Sequence, residues 1–159
     1  MSTFLEVQKK LVPDLLQIMQ KRYEILRSIW LSGPVGRRTL AQAVGLTERV
    51  LRSEVEFLKN QHLIEIRSTG MVITDEGKTI LREIEDMMRE ISGINQMENR
   101  IKEYFQIQAV FIVPGNSDTS PWVKQEMGRA CARSIKKRLL GENIIAVTGG
   151  TTMAAVAET

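Results

Sequence analysis

Between Gly36 and Gly70 the chain carries six basic residues, Arg37, Arg38, Arg49, Arg52, Lys59 and Arg67, and all but one are arginine. A guanidinium is a planar fork of donors that fits a phosphate, or the O6/N7 edge of guanine, through two parallel hydrogen bonds, as an ammonium cannot. Arg49 and Arg52 are spaced by one helical turn, so a helix would hold both on one face. The chemistry suggested is recognition of double-stranded DNA. Arg49 or Arg52 would meet a guanine in the major groove, while Arg37, Arg38 and Arg67 would hold phosphates. Thr39, Thr47, Glu48 and Ser53 are polar neighbours on the same expected surface. The outward arginines argue against a module used only for protein contacts.

A second constellation is Thr148-Gly149-Gly150-Thr151-Thr152, between an apolar run and a short helical segment. Gly149, Gly150, Thr151 and Thr152 would offer backbone N–H groups and hydroxyls at a helix start, which favours an anion. The turn has no lysine where a nucleotide-binding P-loop needs one, and it lacks the spaced glycines of a dinucleotide fingerprint. From these residues alone, a structural tight turn fits as well as a phosphate site.

The chain is poor in catalytic groups. His62 is its one histidine and Cys131 its one cysteine, so neither an intrachain disulfide nor a structural zinc site is expected. His62 stands between helix and hairpin and reads as structural; Cys131, between two alanines on an amphipathic helix, reads as a small core residue. Residues 106–159 hold no paired carboxylates and no nucleophile with a base, so no catalytic residue, metal or cofactor is assigned. The net charge of +3 decides nothing by itself, and a hydrophobic content of 43% permits a core. No apolar run has the length of a membrane span and no signal peptide is visible, so a cytoplasmic protein without a membrane partner is expected.

The elements that must position these groups follow from the pattern. Arg37–Val44 reads as a short helix, Gly45 as the positive-φ turn after it, and Thr47 as the cap of a second helix from Glu48 to about Gln61. On that helix Leu51, Val55 and Leu58 share one face; Glu48, Arg49, Arg52, Ser53 and Glu56 share the other. Two β-prone runs, Leu63–Ile66 and Met71–Ile73, are joined by Arg67-Ser68-Thr69-Gly70, a hairpin with a basic tip. Residues 2–30 read as helical, with Pro13 kinking the helix or starting a new one. Leu15, Leu16, Ile18, Met19, Ile25, Leu26, Ile29 and Trp30 would cover the inner side of the helix-turn-helix.

Thr74 caps a long helical stretch that runs to about Phe105. Ile80, Ile84, Met87, Ile91, Ile94, Ile101 and Phe105 follow a heptad seam, weakened at Gly93 and Glu98. Both packing on its own domain and a dimer coiled coil fit this seam. Beyond it come an apolar strand at Ala109–Val113, a helix opened by Ser120 and Pro121, a second strand at Ile144–Val147 and a last helix at 153–158. Val123, Met127, Ala130, Cys131, Ile135 and Leu139 would line the inner face of the first of these helices.

The expected fold class is α+β. A winged helix-turn-helix (1–90) leads into a linker helix (75–105) and the opening β-α-β-α of a parallel, Rossmann-like α/β domain (106–159). Two parallel strands buried on both faces need more strands and helices. A truncated protein is therefore expected, with a complete DNA-reading domain and an incomplete second one.

Taken in order, these pieces resemble the N-terminal half of the SorC-family bacterial repressors. Gln8-Lys9-Lys10-Leu11, Pro13-Asp14-Leu15-Leu16 and Met19-Gln20-Lys21-Arg22 carry the likeness near the start. Gly36-Arg37-Arg38 and Glu48-Arg49-Val50-Leu51-Arg52 carry it in the reading head. Ser120–Lys124, Glu126–Ala130 and Ala146–Thr152 carry it beyond. The resemblance implies a repressor of a glycolytic operon whose larger domain senses a phosphorylated sugar, fructose 1,6-bisphosphate above all. It puts the phosphate at Gly149, Gly150, Thr151 and Thr152. The cationic partners that a bisphosphate needs are expected beyond Thr159. The expected partners are operator DNA, the sugar phosphate and further copies of the chain, as a homodimer or a higher oligomer. The competing class is a sugar-phosphate isomerase- or deaminase-like enzyme with a winged-helix appendage.

Overall fold

The computed structural model describes residues 7, 10–118, 121–137, 139, 141–142 and 144–158. They form two compact units, Met1–Met97 and Glu98–Thr159.

In the first unit Val12 leaves helical geometry (φ −137°), and Pro13 begins α1 (Pro13–Ser32) at a position where its missing N–H costs nothing. Pro13 thus starts a new helix, the second of the two alternatives; the start of the expected segment, residues 2–6, lies outside the described residues. Gly33 at φ +68° ends α1. Then come α2 (Arg37–Ala43), α3 (Glu48–Asn60), β1 (Ile64–Arg67), β2 (Gly70–Ile73) and α4 (Asp75–Ile91). The strands pair antiparallel with Ile64 opposite Ile73 and Arg67 opposite Gly70. Ser68 and Thr69 are left as a two-residue turn, the tightest hairpin connection.

One core joins these elements. Ile25, Leu26 and Ile29 of α1 meet Leu40 and Ala41 of α2, Leu51, Val55 and Leu58 of α3, and Ile64 and Met71 of the hairpin. α1 contributes less than expected. Leu16, Ile25, Leu26 and Ile29 are buried, whereas Leu15, Ile18 and Trp30 are exposed. Leu15 and Ile18 lie on the face of Ile25 and Ile29 at helical spacing but nearer the N-terminus and outside the main core cluster, while Leu16 between them is buried.

Two close approaches fix the hairpin. Val35 exchanges backbone hydrogen bonds with Met71 (3.1 and 2.9 Å), so a single residue between α1 and α2 bridges to the hairpin. Gly70 lets this happen: a Cβ there would stand 2.8–2.9 Å from the Val35 backbone. At the start of α4, a Cβ on Gly77 would overlap the Leu63 carbonyl oxygen and lie 2.7 Å from Ile73 Cγ1. Both contacts join residues distant in sequence, and neither was expected from it.

The long helix expected from 75 to 105 is two helices. α4 ends at Ile91, Gly93 turns at φ +70°, and α5 (Ile94–Phe105) begins. A left-handed glycine satisfies the last helical carbonyls but cannot continue the helix. The α4 face that is fully buried carries Gly77, Leu81 and Met88, beside the expected seam. Ile80, Ile84, Met87 and Ile91 are half-buried. α1 and α4 pack together and claim the one stripe, leaving its neighbour partly open.

In the second unit α6 (Pro121–Lys136) packs on α7 (Thr151–Ala157). The contact is small-to-small: a Cβ on Gly128 would strike the Ala155 carbonyl. Of the inner face expected on α6, Val123 is 2% exposed, Ala130, Cys131 and Ile135 are half-buried, and Met127 and Leu139 are exposed. Gly128 does the packing instead. Ser120, expected to cap this helix, lies outside the described residues.

The two expected strands are not formed. Residues 109–113 and 144–147 are irregular, with Phe111, Ile144, Ile145 and Val147 exposed. An apolar run supplies the faces of a strand, but the strand itself needs a ladder partner and a layer over it. Neither segment has a ladder partner among the described residues. The expected opening β-α-β-α is therefore seen as two helices and two irregular segments without a strand ladder among the described residues. No helix among the described residues is long and apolar enough to cross a membrane.

Candidate nucleic-acid interface and glycine turn

The reading surface is built on α2, its turn and α3. Gly45 sits at φ +65°, and Leu46 N–H donates back to Ala41 O (3.0 Å), closing α2 in a left-handed cap. Thr47 follows in extended geometry, and its Oγ1 accepts the Val50 N–H at 3.3 Å, so the expected cap is present. α3 is sharply two-sided. Leu51, Val55 and Leu58 are at most 3% exposed, while Glu48, Arg49, Arg52, Ser53 and Glu56 face water, as expected.

The far end of α3 explains His62. This residue is at φ +58°, its N–H bonds Lys59 O (2.9 Å), and Leu63 N–H bonds Leu58 O (3.0 Å). That pair is a Schellman motif, and Leu63 tucks back beside Leu58 in the core. Thr74 locks the exit: its hydroxyl donates to His62 O (2.7 Å) and accepts the Gly77 N–H (3.0 Å). His62 is therefore structural, and the hairpin is held at the end of the reading helix.

All nine residues assigned to DNA from the sequence are exposed: Arg37, Arg38, Thr39, Thr47, Glu48, Arg49, Arg52, Ser53 and Arg67. They are not equally free. Arg38 is 3.5 Å from Glu48 across the turn, and Arg67 donates twice to Glu65 at 2.8–3.0 Å. Ser53 spends its hydroxyl hydrogen on Val50 O (2.9 Å). Among the described residues, Arg37, Arg49 and Arg52 have no side-chain hydrogen-bond or ion-pair partner. Exposed ion pairs contribute about 0–1 kcal/mol, so Arg38 and Arg67 can exchange their carboxylates for phosphates at little cost.

Glu54 was not singled out in the sequence. It is 8% exposed within α3, where its carboxylate pairs with Lys21 and, at 2.9 Å, with Arg22 of α1. Burial works to raise the Glu54 carboxyl, but hydrogen bonds and charge from Lys21 and Arg22 outweigh it and hold the group below the ordinary carboxylate value. The Arg22 guanidinium also lies 3.5 Å above the Phe57 ring. A glutamate directly beside the Leu51 and Val55 stripe was the available signal.

In the second unit Gly149, Gly150 and Thr151 are exposed and Thr152 is half-buried. Gly150 precedes α7 at φ +141°, a conformation that needs glycine. Lys124 of α6 donates from Nζ to Thr151 Oγ1 at 3.1 Å. One cation therefore stands at this turn inside the chain, where the sequence reading placed such partners beyond Thr159. Lys124 lies in the Ser120–Lys124 block that carries the resemblance, which could have marked it.

Two family models match the chain in succession. Residues 18–88 match the family model "CggR N-terminal DNA binding domain", and residues 89–159 match "Putative sugar-binding domain". A "Central glycolytic genes regulator" of Priestia megaterium is 57% identical over 159 residues, and one of Bacillus subtilis is 52% identical over 158. In each case the match covers 99% of this chain and 46% of the relative, so the chain spans about half the length of the relatives it matches. By its DNA-binding segment and the sugar-binding segment that follows it, this chain belongs to the SorC family of regulators.

Proposed function

We propose that this chain is the DNA-reading and linker part, with the first part of the effector domain, of a cytoplasmic repressor of a glycolytic operon. A phosphorylated sugar, fructose 1,6-bisphosphate, releases it from its operator. The first unit acts as a winged helix-turn-helix, with α3 in the major groove and the Arg67 hairpin tip on the backbone. One observation carries this reading: α3 is anchored by Leu51, Val55 and Leu58 and turns unpaired Arg49 and Arg52 outward. Arg37, Arg38 and Arg67 hold phosphates, and Thr39, Thr47, Glu48 and Ser53 line the contact. The names of the relatives support a regulator over an isomerase-like enzyme.

The glycine turn receives a phosphate of the effector at Gly149, Gly150, Thr151 and Thr152, and Lys124 supports this by adding charge beside Thr151. Residues 109–113 and 144–147 become parallel strands in the completed effector domain. The half-open stripe of Ile80, Ile84, Met87 and Ile91 serves self-association, because one reading head touches too few bases for a strong preference.

The test is a titration of the full-length protein with duplex DNA from upstream of its own operon, at fixed salt, with and without fructose 1,6-bisphosphate. Sequence-selective binding that the sugar weakens is the expected result. Absence of sequence preference, or turnover of the sugar phosphate, overturns the reading.

A further inference from the structure

Resting on the DNA-reading role proposed above, the geometry points to Glu54 as a positioning residue that sets the rotation of α3 and thereby the aim of Arg49 and Arg52. Glu54 touches no DNA in this scheme; it faces the protein side of the reading helix.

An apolar stripe by itself specifies little about helix rotation. Leu51, Val55 and Leu58 hold α3 against the core, but apolar packing tolerates small rotations and repacking at modest cost. A turn of about 20° moves groups at the helix surface by about 2 Å, given its radius with side chains. That exceeds what a bidentate arginine–guanine contact accepts. A directional restraint is therefore needed, and Glu54 supplies one. Lys21 Nζ pairs with its Oε1 and Arg22 Nε lies 2.9 Å from its Oε2, so each carboxylate oxygen has its own cation. Arg22 grips α3 a second time through the Phe57 ring, three residues on and on the same side. Two points on α3 held by one guanidinium fix rotation as well as separation.

The clamp is partly shielded: the Glu54 side chain is 11% exposed, and those of Lys21 and Arg22 are 31% exposed. Such a pair contributes little net stability, because desolvation offsets attraction, while its geometry remains demanding. Its effect falls on where the helix points rather than on whether the unit folds.

The experiment uses the full-length protein and a duplex that the wild type selects from a random pool, with a scrambled duplex of equal length. Glu54→Leu removes the clamp and keeps an apolar side chain of similar size, and Arg22→Lys keeps the charge but removes the stacked fork. Melting curves show that each variant is folded. For Glu54→Leu the preference for the selected duplex is expected to fall about tenfold, with binding to the scrambled duplex nearly unchanged. Arg22→Lys should show a smaller loss of the same kind. Preference retained in folded Glu54→Leu overturns the proposal, as does equal weakening on both duplexes. A wild type that selects no sequence overturns the DNA-reading role itself, a distinct outcome.

Discussion

The two units use comparable apolar content to different ends. In the first, every turn around the reading surface is closed by a local device: Gly45 after α2, Thr47 before α3, His62 after it and Thr74 before α4. The core beneath is shut, with Ile25, Leu40 and Leu51 fully buried. In the second, Phe111, Ile144 and Val147 are exposed, and a two-helix contact through Gly128 and Ala155 is the main packing described. Caps and left-handed turns act within a few residues, whereas parallel strands need neighbours distant in sequence. The first unit, closed by such local signals, has a shut core, whereas the described packing of the second is mainly one two-helix contact.

The largest expected effect tests this contrast directly. Leu40→Ala or Leu51→Ala should cost about 2–5 kcal/mol in denaturant unfolding of the first unit. Phe111→Ala or Ile144→Ala, at 59% and 102% exposure, should stay within about 0.5 kcal/mol. Equal losses in both units would show that the second is closed as tightly as the first.

A smaller effect sharpens it at the glycines. Alanine is the better helix former, yet Gly77→Ala should destabilise by about 1–3 kcal/mol, because its methyl meets the Leu63 carbonyl. Gly149 has nothing within 4 Å of a built Cβ, so Gly149→Ala should leave melting unchanged. A stabilised Gly77→Ala protein would show that the approach of α4 to the hairpin is not tight.

The smallest effect is pH-dependent. The Glu54 carboxyl titrates below its ordinary value of 4.5 in the folded state, so its contribution is complete above that value and is lost as pH falls through the folded one. The stability difference between wild type and Glu54→Gln should be flat near neutrality and shrink in acid. A difference that grows in acid would contradict the Lys21–Arg22 pairing.

Much of the first unit was legible because its signals are local. The two-sided spacing of Leu51, Val55 and Leu58 against Arg49 and Arg52 needs one helix to interpret. The Val35 bridge, the Gly77 contact and the Glu54 clamp were not legible, since each joins residues far apart in sequence. At α4 the heptad spacing pointed to Ile80, Ile84, Met87 and Ile91, but Leu81 and Met88 beside them are the buried residues, and Gly93 ends the expected long helix. In the second unit the apolar runs were visible, but among the described residues they form no ladder. Lys124 escaped notice because Thr151 is 27 residues away.

The proposed division, in which α3 reads bases with Arg49 and Arg52 while Arg67 holds backbone, is decided by measuring Arg49→Ala, Arg52→Ala and Arg67→Ala against a wild-type-selected duplex and its single-base variants over a range of salt. At least one α3 substitution should cost about 1–3 kcal/mol and relax preference at one base pair. Arg67→Ala should weaken every duplex alike and flatten the salt dependence. Unchanged affinity and unchanged sequence preference in both Arg49→Ala and Arg52→Ala would contradict the account.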